Sequence, residues 1–452
     1  MSVTSVNTTW IRLLPPFLRS RLEGRMNRQK IVANVGWLFA DRALRMAVGV
    51  VVSVWLARYL GATEFGLYSY ALAFVALFSA FANLGLDGIV VRNIVRDPQA
   101  RDEILGSAFA LKLIGGVLTL LIASTAIYWL HPQDHLTRWL VAIIAAGTIF
   151  QAFETVDLWF QSQVKSKYSI CARDSALLLV ALAKISMILY GAPLIAFAWA
   201  GLLETVISAS ALLAAYRLSG ALFTRWKTNF ARAKELLRDS WPLMFSSIAV
   251  LMNLQVDKVM LGEISGDRAV GLYSAACKLS EIWYFVPIVV GLSVMQSLIV
   301  EKQKGERFYR LKLQQVYDLM TISALLVVLP MTFLAEGITQ LIYGAEYSGT
   351  GHILSVHIWS ILFIFHVSIR TRSLVIEGLQ RFVALFACTT MILNVLLNMV
   401  LIPTYGAIGA AYASLASWIA GAMILPLCSK KTAESVPMFL CSLVLKSLRR
   451  GT

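Results

Sequence analysis

The stretch of sequence that decides the fold is Leu60-Gly61-Ala62-Thr63-Glu64-Phe65-Gly66-Leu67-Tyr68-Ser69. Most of it returns about 205 residues later as Leu261-Gly262, followed after eight residues by Gly271-Leu272-Tyr273-Ser274. A second echo joins Tyr190-Gly191-Ala192 to Tyr405-Gly406-Ala407, about 215 residues apart and in the same order. Recurrence at a nearly constant offset predicts a chain built from two related halves.

Composition places both halves in a membrane. The chain has 452 residues, of which 58% are hydrophobic and 14% are charged, with a mean hydropathy of +0.71. Soluble domains are about 25% charged, so this chain has too little polar surface for a water-soluble fold. Its apolar runs are long and do not alternate, which favours helices over strands.

We predict an all-α integral membrane protein of about twelve transmembrane helices, since about twenty apolar residues span a bilayer. The predicted spans are 36–58, 67–90, 106–130, 138–160, 171–190, 193–216, 240–262, 271–299, 315–336, 353–376, 382–402 and 406–427.

Lysine and arginine indicate the orientation. They concentrate in the N-terminal segment, in every even-numbered connection and in the tail, whereas the odd-numbered connections have only Arg58, Arg138 and Arg268 near them. The positive-inside rule therefore predicts that both termini are cytoplasmic. The net charge of +15 is dispersed over many connections, which favours contact with anionic lipids over nucleic-acid binding.

The spans divide the chain into five predicted segments. They are a basic cytoplasmic N-terminal segment (1–33), an N-terminal six-helix bundle (34–216), a cytoplasmic linker (217–239), a C-terminal six-helix bundle (240–428) and a basic cytoplasmic tail (429–452). An even number of helices separates the repeats, so we expect parallel repeats related by an axis along the membrane normal. The first thirty residues show no secretory signal, and Met26 is a second candidate for the natural start.

Nothing in the sequence favours an enzyme. The odd-numbered connections are short, whereas a membrane enzyme of glycan assembly acting outside the cytoplasm needs a sizeable catalytic loop there. The chain shows none of the common hydrolase, metalloprotease or phosphate-loop motifs. Its five cysteines and five histidines lack metal-ligand spacing, and we expect neither a metal site nor a cofactor.

The sequence resembles the Wzx-type polysaccharide flippases of the MATE-like (MOP) transporter superfamily. The segments that carry the resemblance are Asp41-Arg42-Ala43-Leu44-Arg45, Ala57-Arg58-Tyr59-Leu60-Gly61 with Phe65-Gly66-Leu67-Tyr68-Ser69, Asp257-Lys258-Val259-Met260-Leu261-Gly262, Gly271-Leu272-Tyr273-Ser274-Ala275-Ala276 with Leu279-Ser280-Glu281, and Gly406-Ala407-Ile408-Gly409-Ala410-Ala411. One departure is Lys258, where many relatives are expected to have a neutral polar residue.

The resemblance implies a V-shaped pair of six-helix bundles that works by alternating access in a bacterial inner membrane. It implies that an undecaprenyl-pyrophosphate-linked oligosaccharide moves from the cytoplasmic to the periplasmic leaflet, for O-antigen, capsule or exopolysaccharide synthesis. A polysaccharide polymerase and chain-length proteins are the partners it suggests. The alternative within the superfamily is a multidrug or small-solute antiporter, which predicts a cavity lined by aromatics and carboxylates without excess arginine.

Charged residues inside the apolar spans are the candidate site. Asp41, Arg42 and Arg45 share the first span, where each charge costs roughly 2.5–3.5 kcal/mol at a helix centre. One interpretation is an internal ion pair that orients the helix. The other is a cationic wall for the pyrophosphate, because two arginines face one aspartate and the arginine fork binds phosphate oxygens bidentately.

The second half carries a similar set. Lys278 and Glu281 are spaced i,i+3 in the eighth span, and Asp257 and Lys258 lie towards the outer end of the seventh. Residues three apart are neighbours on a helix. We interpret these four as candidates for the cavity wall or for local pairing.

Two carboxylates are candidates for coupling transport to an H⁺ or Na⁺ gradient. They are Glu204 and Glu281, since a carboxylate inside a membrane protein is a typical proton or cation carrier. Lys184 lies at a similar depth to Glu204, and we expect the two to neutralise each other.

The charge pattern predicts the topology directly. Reporter fusions at both termini and in the connection near Arg225 should read as cytoplasmic, because these segments carry the excess of basic residues. A periplasmic signal from the 225–234 connection would contradict both the orientation and the number of helices.

Overall fold

The computed structural model describes residues 26–444, and within that range every regular element is helical. The α-helices are α1 Met26–Asn83, α2 Asp87–Arg96, α3 Arg101–Leu130, α4 His135–Phe150, α5 Thr155–Ser162, α6 Ser166–Leu189, α7 Leu194–Leu218, α8 Phe230–Ser265, α9 Asp267–Glu281, α10 Phe285–Lys304, α11 Glu306–Tyr343, α12 Thr350–His357, α13 Ser360–Ile376, α14 Gln380–Tyr405, α15 Ala407–Ile419 and α16 Ser435–Leu443. Shorter 3₁₀ or π turns lie at Gln151–Glu154, Phe223–Arg225, Ile282–Tyr284, Ala345–Tyr347, Ala420–Ile424 and Leu425–Cys428.

The membrane-protein prediction is confirmed. In the described part of the chain, ten helical stretches are long and apolar enough to cross a bilayer. One of them, Ala40–Arg96, covers most of the first predicted span and all of the second, with a kink at Gly61 between the two. Helix α6 coincides with the fifth predicted span but is not among the ten, and it carries Arg173, Asp174 and Lys184. The count of twelve spans stays a prediction.

Two segments expected to be irregular are partly helical. Helix α8 begins at Phe230, inside the predicted linker, because Asn229 caps it: the Asn229 side chain accepts hydrogen bonds from the backbone amides of Ala231 (2.8 Å) and Arg232 (3.5 Å). In the predicted tail, α16 packs on α11 and buries Phe439. Positions 1–25 and 445–452 lie outside the described residues.

Packing is mostly within each half. In the first half α1 contacts α3, α4 and α6, while α3 packs on α4 and α6 on α7. In the second half α14 packs between α8 and α15, and α11 contacts α10, α12 and α13. Between the halves, α1 packs along α8 and α9. Helix α1 therefore makes most of the contact between the two halves.

The repeat recurs as backbone conformation. Gly61 has φ 73° and ψ 173° at the kink of α1. Gly266, about 205 residues later, has φ 81° and ψ 174° between α8 and α9. Other residues rarely adopt such a positive φ, so glycine permits the same break in each half. The second echo agrees, since Gly191 and Gly406 both have positive φ.

The repeated glycines also bring the halves together. A Cβ placed on Gly66 would overlap the carbonyl oxygen of Asp267, and one on Gly271 would overlap that of Ala62. In the repeat, Gly66 corresponds to Gly271 and Ala62 to Asp267. The contact of Gly66 with Asp267 is therefore the counterpart of the contact of Gly271 with Ala62. This reciprocity is what a two-fold relation produces. The direction of its axis, and the V shape, stay predictions.

A single methyl group should disturb this contact. Gly66→Ala should destabilise the protein by about 1–3 kcal/mol, the usual cost of inserting atoms into a packed contact. Gly337→Ala is the matched control, because a Cβ there meets no atom within 4 Å. Thermal unfolding of the purified variants measures the difference. Equal melting temperatures for the two variants would contradict the backbone contact.

Candidate substrate-binding site

A cluster of five charged residues lies inside the first half, and we call it the N-terminal cluster: Asp41, Arg45, Asp157, Arg173 and Asp174. Arg45 Nε lies 2.7 Å from Asp41 Oδ1, and Arg45 Nη2 lies 2.9 Å from Asp174 Oδ1. Arg173 Nη1 lies 3.0 Å from Asp157 Oδ2, and Arg173 Nη2 lies 4.0 Å from Asp41 Oδ2. The cluster thus ties α1 to α5 and α6.

These pairs correct the expected charge balance. Arg45 does not share a single aspartate with Arg42, because it forms ion pairs with both Asp41 and Asp174. The charges along α1 alone do not include Asp174, which α6 supplies. Arg42 is exposed, and among the described side chains no carboxylate lies within 4.0 Å of it. Of the two arginines predicted in the first span, Arg42 is therefore the one without a carboxylate partner among the described residues.

In the second half, Glu281 takes a different partner from the one expected. Lys258 Nζ lies 3.6 Å from Glu281 Oε1 and donates a hydrogen bond to Gln255 Oε1 at 3.2 Å. Among the described residues, the expected i,i+3 neighbour Lys278 does not come within 4.0 Å of the Glu281 carboxylate, and Lys258 is the ion-pair partner instead. Lys258 is buried whereas Lys278 is exposed, and a buried charge gains more from a partner than an exposed one.

Asp257 lies within the C-terminal bundle rather than at an exposed wall. Its carboxylate accepts hydrogen bonds from Tyr273 Oη (2.7 Å), Asn398 Nδ2 (2.6 Å) and the Ser414 hydroxyl. All four side chains are buried. The contacts hold α8, α9, α14 and α15 together, which is a structural role for Asp257.

The predicted neutralisation of Glu204 is confirmed. Lys184 Nζ lies 3.4 Å from Glu204 Oε2, joining α6 to α7. Both carboxylates singled out for coupling, Glu204 and Glu281, therefore have one lysine partner each and retain partial exposure.

The two halves are joined at the end of the molecule that carries the sparsely charged connections. Glu346 Oε1 accepts a hydrogen bond from the Ala62 amide (2.8 Å), and Tyr347 Oη donates one to the Ala57 carbonyl (2.8 Å). Arg58 also donates to the Leu341 carbonyl. We call these contacts, together with the reciprocal glycine contacts, the seam.

A second group of side chains extends the seam. Glu263 of α8 accepts a hydrogen bond from Tyr70 of α1 and lies 3.0 Å from His131 Nε2. At the opposite, basic end, Arg92 Nη2 lies 2.5 Å from Asp239 Oδ2 and links α2 to α8. Polar contacts therefore join the halves at both ends.

Solved structures with this architecture define the class of protein. A multidrug resistance MATE family transporter of the MOP superfamily, in an inward-facing conformation, superposes with a TM-score of 0.70 at 15% identity, covering 90% of this chain and 96% of that one. The lipid II flippase MurJ in an inward closed conformation gives 0.71 at 17% identity and 91% coverage of both chains. The chain has the fold of the MATE-like membrane transporters, as its sequence predicts.

Sequence relatives narrow the class to a family. The capsular polysaccharide biosynthesis protein CapF of Staphylococcus aureus is 22% identical over 401 residues, covering 84% of this chain and 94% of the relative. The probable low-salt glycan biosynthesis flippase Agl15 of Haloferax volcanii is 25% identical over 372 residues, covering 80% and 75%. The model of the polysaccharide biosynthesis protein family matches residues 31–299, more than half of the chain. The chain belongs to this family.

Substitutions at two of the predicted site residues, Asp257 and Lys278, should differ in their effect on the stability of the protein. Asp257→Ala leaves buried donors unsatisfied, at about 1–3 kcal/mol for each, so the amount of folded protein should fall. Lys278→Gln removes an exposed charge and should leave that amount unchanged. Fluorescence-detected gel filtration of tagged variants measures both. Normal folding of Asp257→Ala would contradict the structural role assigned to this carboxylate.

Proposed function

We propose that this chain flips lipid-linked oligosaccharides across the membrane for polysaccharide biosynthesis. The observation that carries the proposal is the family match over residues 31–299 on a MATE-like transporter fold. The relatives CapF and Agl15, the latter a probable glycan flippase, support it. On this proposal the chain moves its substrate without making or breaking a covalent bond in it.

The carrier lipid is proposed to be undecaprenyl pyrophosphate. A diphosphate that leaves water needs cations, and an arginine binds phosphate oxygens through two parallel hydrogen bonds. Arg42 is an exposed cation on the helix that carries Arg45, and Lys278 is an exposed cation on the helix that carries Glu281, which makes them the first candidates to meet the diphosphate. Arg45 contributes through the side that Asp41 and Asp174 leave open, since a third of its side chain is exposed.

The direction of transport follows from the proposed orientation. With the basic end and both termini in the cytoplasm of a bacterial cell, the seam lies on the periplasmic side of the inner membrane. The described conformation is then closed towards the periplasm by the seam. The Arg92–Asp239 ion pair also joins the halves at the cytoplasmic end, and on this proposal it opens when substrate enters from the cytoplasmic leaflet. A polymerase and chain-length proteins would receive the flipped unit.

Coupling to an H⁺ or Na⁺ gradient is proposed to act through Glu204 or Glu281. Each carboxylate has one lysine partner, so neutralising the carboxylate would free that lysine. A freed lysine changes the charge inside its half, and this offers a route from ion binding to conformational change.

Arginine substitutions test the binding mechanism. Arg42→Gln and Arg45→Ala should lower surface polysaccharide at least tenfold, in a strain lacking its own flippase, while protein levels stay near normal. Arg45→Lys should restore part of the activity, because it keeps the charge but loses the fork. Arg225→Gln is the matched control, since Arg225 is an exposed cation of the connection between α7 and α8.

Two results would contradict the proposal in different ways. If Arg45→Ala lowers folded protein but spares export per molecule, Arg45 is only a structural partner of Asp41 and Asp174. If the wild-type chain exports no glycan but lowers accumulation of a cationic dye, the chain is an antiporter of the same fold.

A further inference from the structure

A cavity lies at the basic end of the second half, away from both charged groups described above. Its volume is about 390 Å³, and it lies between the ends of α10, α11 and α13 and the segment that leads into α16. The side chains that define its chemistry are Lys302, Arg310, Arg370, Ser373, Lys430 and Lys431.

Arg370 is the central feature of this cavity. Only 4% of its surface is exposed, yet among the described residues no carboxylate lies within 4.0 Å of it. Nη1 donates a hydrogen bond to the Ala422 carbonyl (3.1 Å), the guanidinium lies 5.2 Å from the ring centroid of Phe386, and Nε has no protein acceptor. A buried guanidinium without an anion is costly, so this one is suited to receive an anion.

The acidic side chains of the cavity are already engaged. Glu306 and Glu434 both bind Arg310, at 3.0 and 2.9 Å. Glu377 accepts a hydrogen bond from Tyr309 Oη (2.9 Å), and burial raises the pKa of the Glu377 carboxyl despite that bond. These carboxylates therefore leave Arg370 without a counter-charge.

Three lysines add positive charge around the opening. Lys430 and Lys431 are exposed at the edge of the cavity. Lys302 is half-buried and donates a hydrogen bond to the Ile376 carbonyl at 3.4 Å. One buried arginine below several lysines is an arrangement that suits the oxygens of a phosphate group.

We propose that this cavity binds a phosphate group, carried by an anionic phospholipid headgroup or present as free phosphate. Basic pockets between membrane helices at the cytoplasmic side are typical sites for such headgroups. The ligand would join α13 to the 429–434 segment and so hold α16 against α11. This phosphate ligand is a different molecule from the transported substrate, and its binding would stabilise the second half.

Ligand-dependent unfolding of the purified, delipidated full chain tests the proposal. Vesicles of phosphatidylglycerol should raise the melting temperature by several degrees relative to phosphatidylcholine, because a ligand that binds only the folded state stabilises it. Inorganic phosphate is titrated in parallel. A shift with phosphatidylglycerol alone identifies the lipid as the source, and an equal shift with phosphate identifies the free anion.

Variants locate the effect. Lys430→Gln/Lys431→Gln should weaken binding at least fivefold, and Arg370→Gln should abolish the shift. Lys304→Gln/Arg307→Gln is the matched control, because it removes two exposed cations nearby that do not line the cavity. Should Arg370→Gln fail to fold, the exposed lysine variant decides. The proposal is overturned if neither probe shifts the melting temperature, or if the lysine and control variants respond alike.

Discussion

The arrangement of this molecule depends on a place where two backbones lie against each other. Gly66 meets Asp267 and Gly271 meets Ala62, with no room for a side chain at either glycine. Small residues permit such close approach between membrane helices. Because α1 touches both α8 and α9, this contact fixes how the first half lies on the second. The hydrogen bonds of Glu346 and Tyr347 close around it.

The interior charges follow a common logic in both halves. Ions inside a membrane protein are stable when partners from neighbouring helices surround them, and Arg45 and Lys258 both have such partners. Arg42 and Lys278 are exposed cations on the helices that carry Arg45 and Glu281. Each half therefore has paired charges that hold helices together and an exposed cation outside those pairs.

Composition and repeats predict the class of fold because the hydropathy of each span and the recurrence of a motif can both be recognised along the sequence, without knowing which helices are neighbours. The sequence comparison pairs Gly61 with Gly262, whereas the structure shows that Gly266 shares the unusual φ of Gly61. Partners across helices were harder to predict. Lys184 and Glu204 were matched by depth, but Asp174 was missed as the partner of Arg45, because spacing along α1 says nothing about α6. Lys258 replaced Lys278 for the same reason, and α16 was missed because its basic surroundings suggested only a tail.

The seam has a consequence for how such a chain can change over evolution. Glu346 and Tyr347 bind the amide of Ala62 and the carbonyl of Ala57, backbone groups that any residue would supply except proline at position 62, which has no amide hydrogen. These hydrogen bonds therefore depend on the course of the main chain and not on the side chains at positions 57 and 62. Both alanines are fully buried, so packing limits these positions to small residues although the hydrogen bonds do not depend on the side chains. Glu346 and Tyr347, in contrast, supply the bonding groups from their side chains. Selection should therefore act on side-chain hydrogen-bonding groups at positions 346 and 347, and on side-chain size at positions 57 and 62.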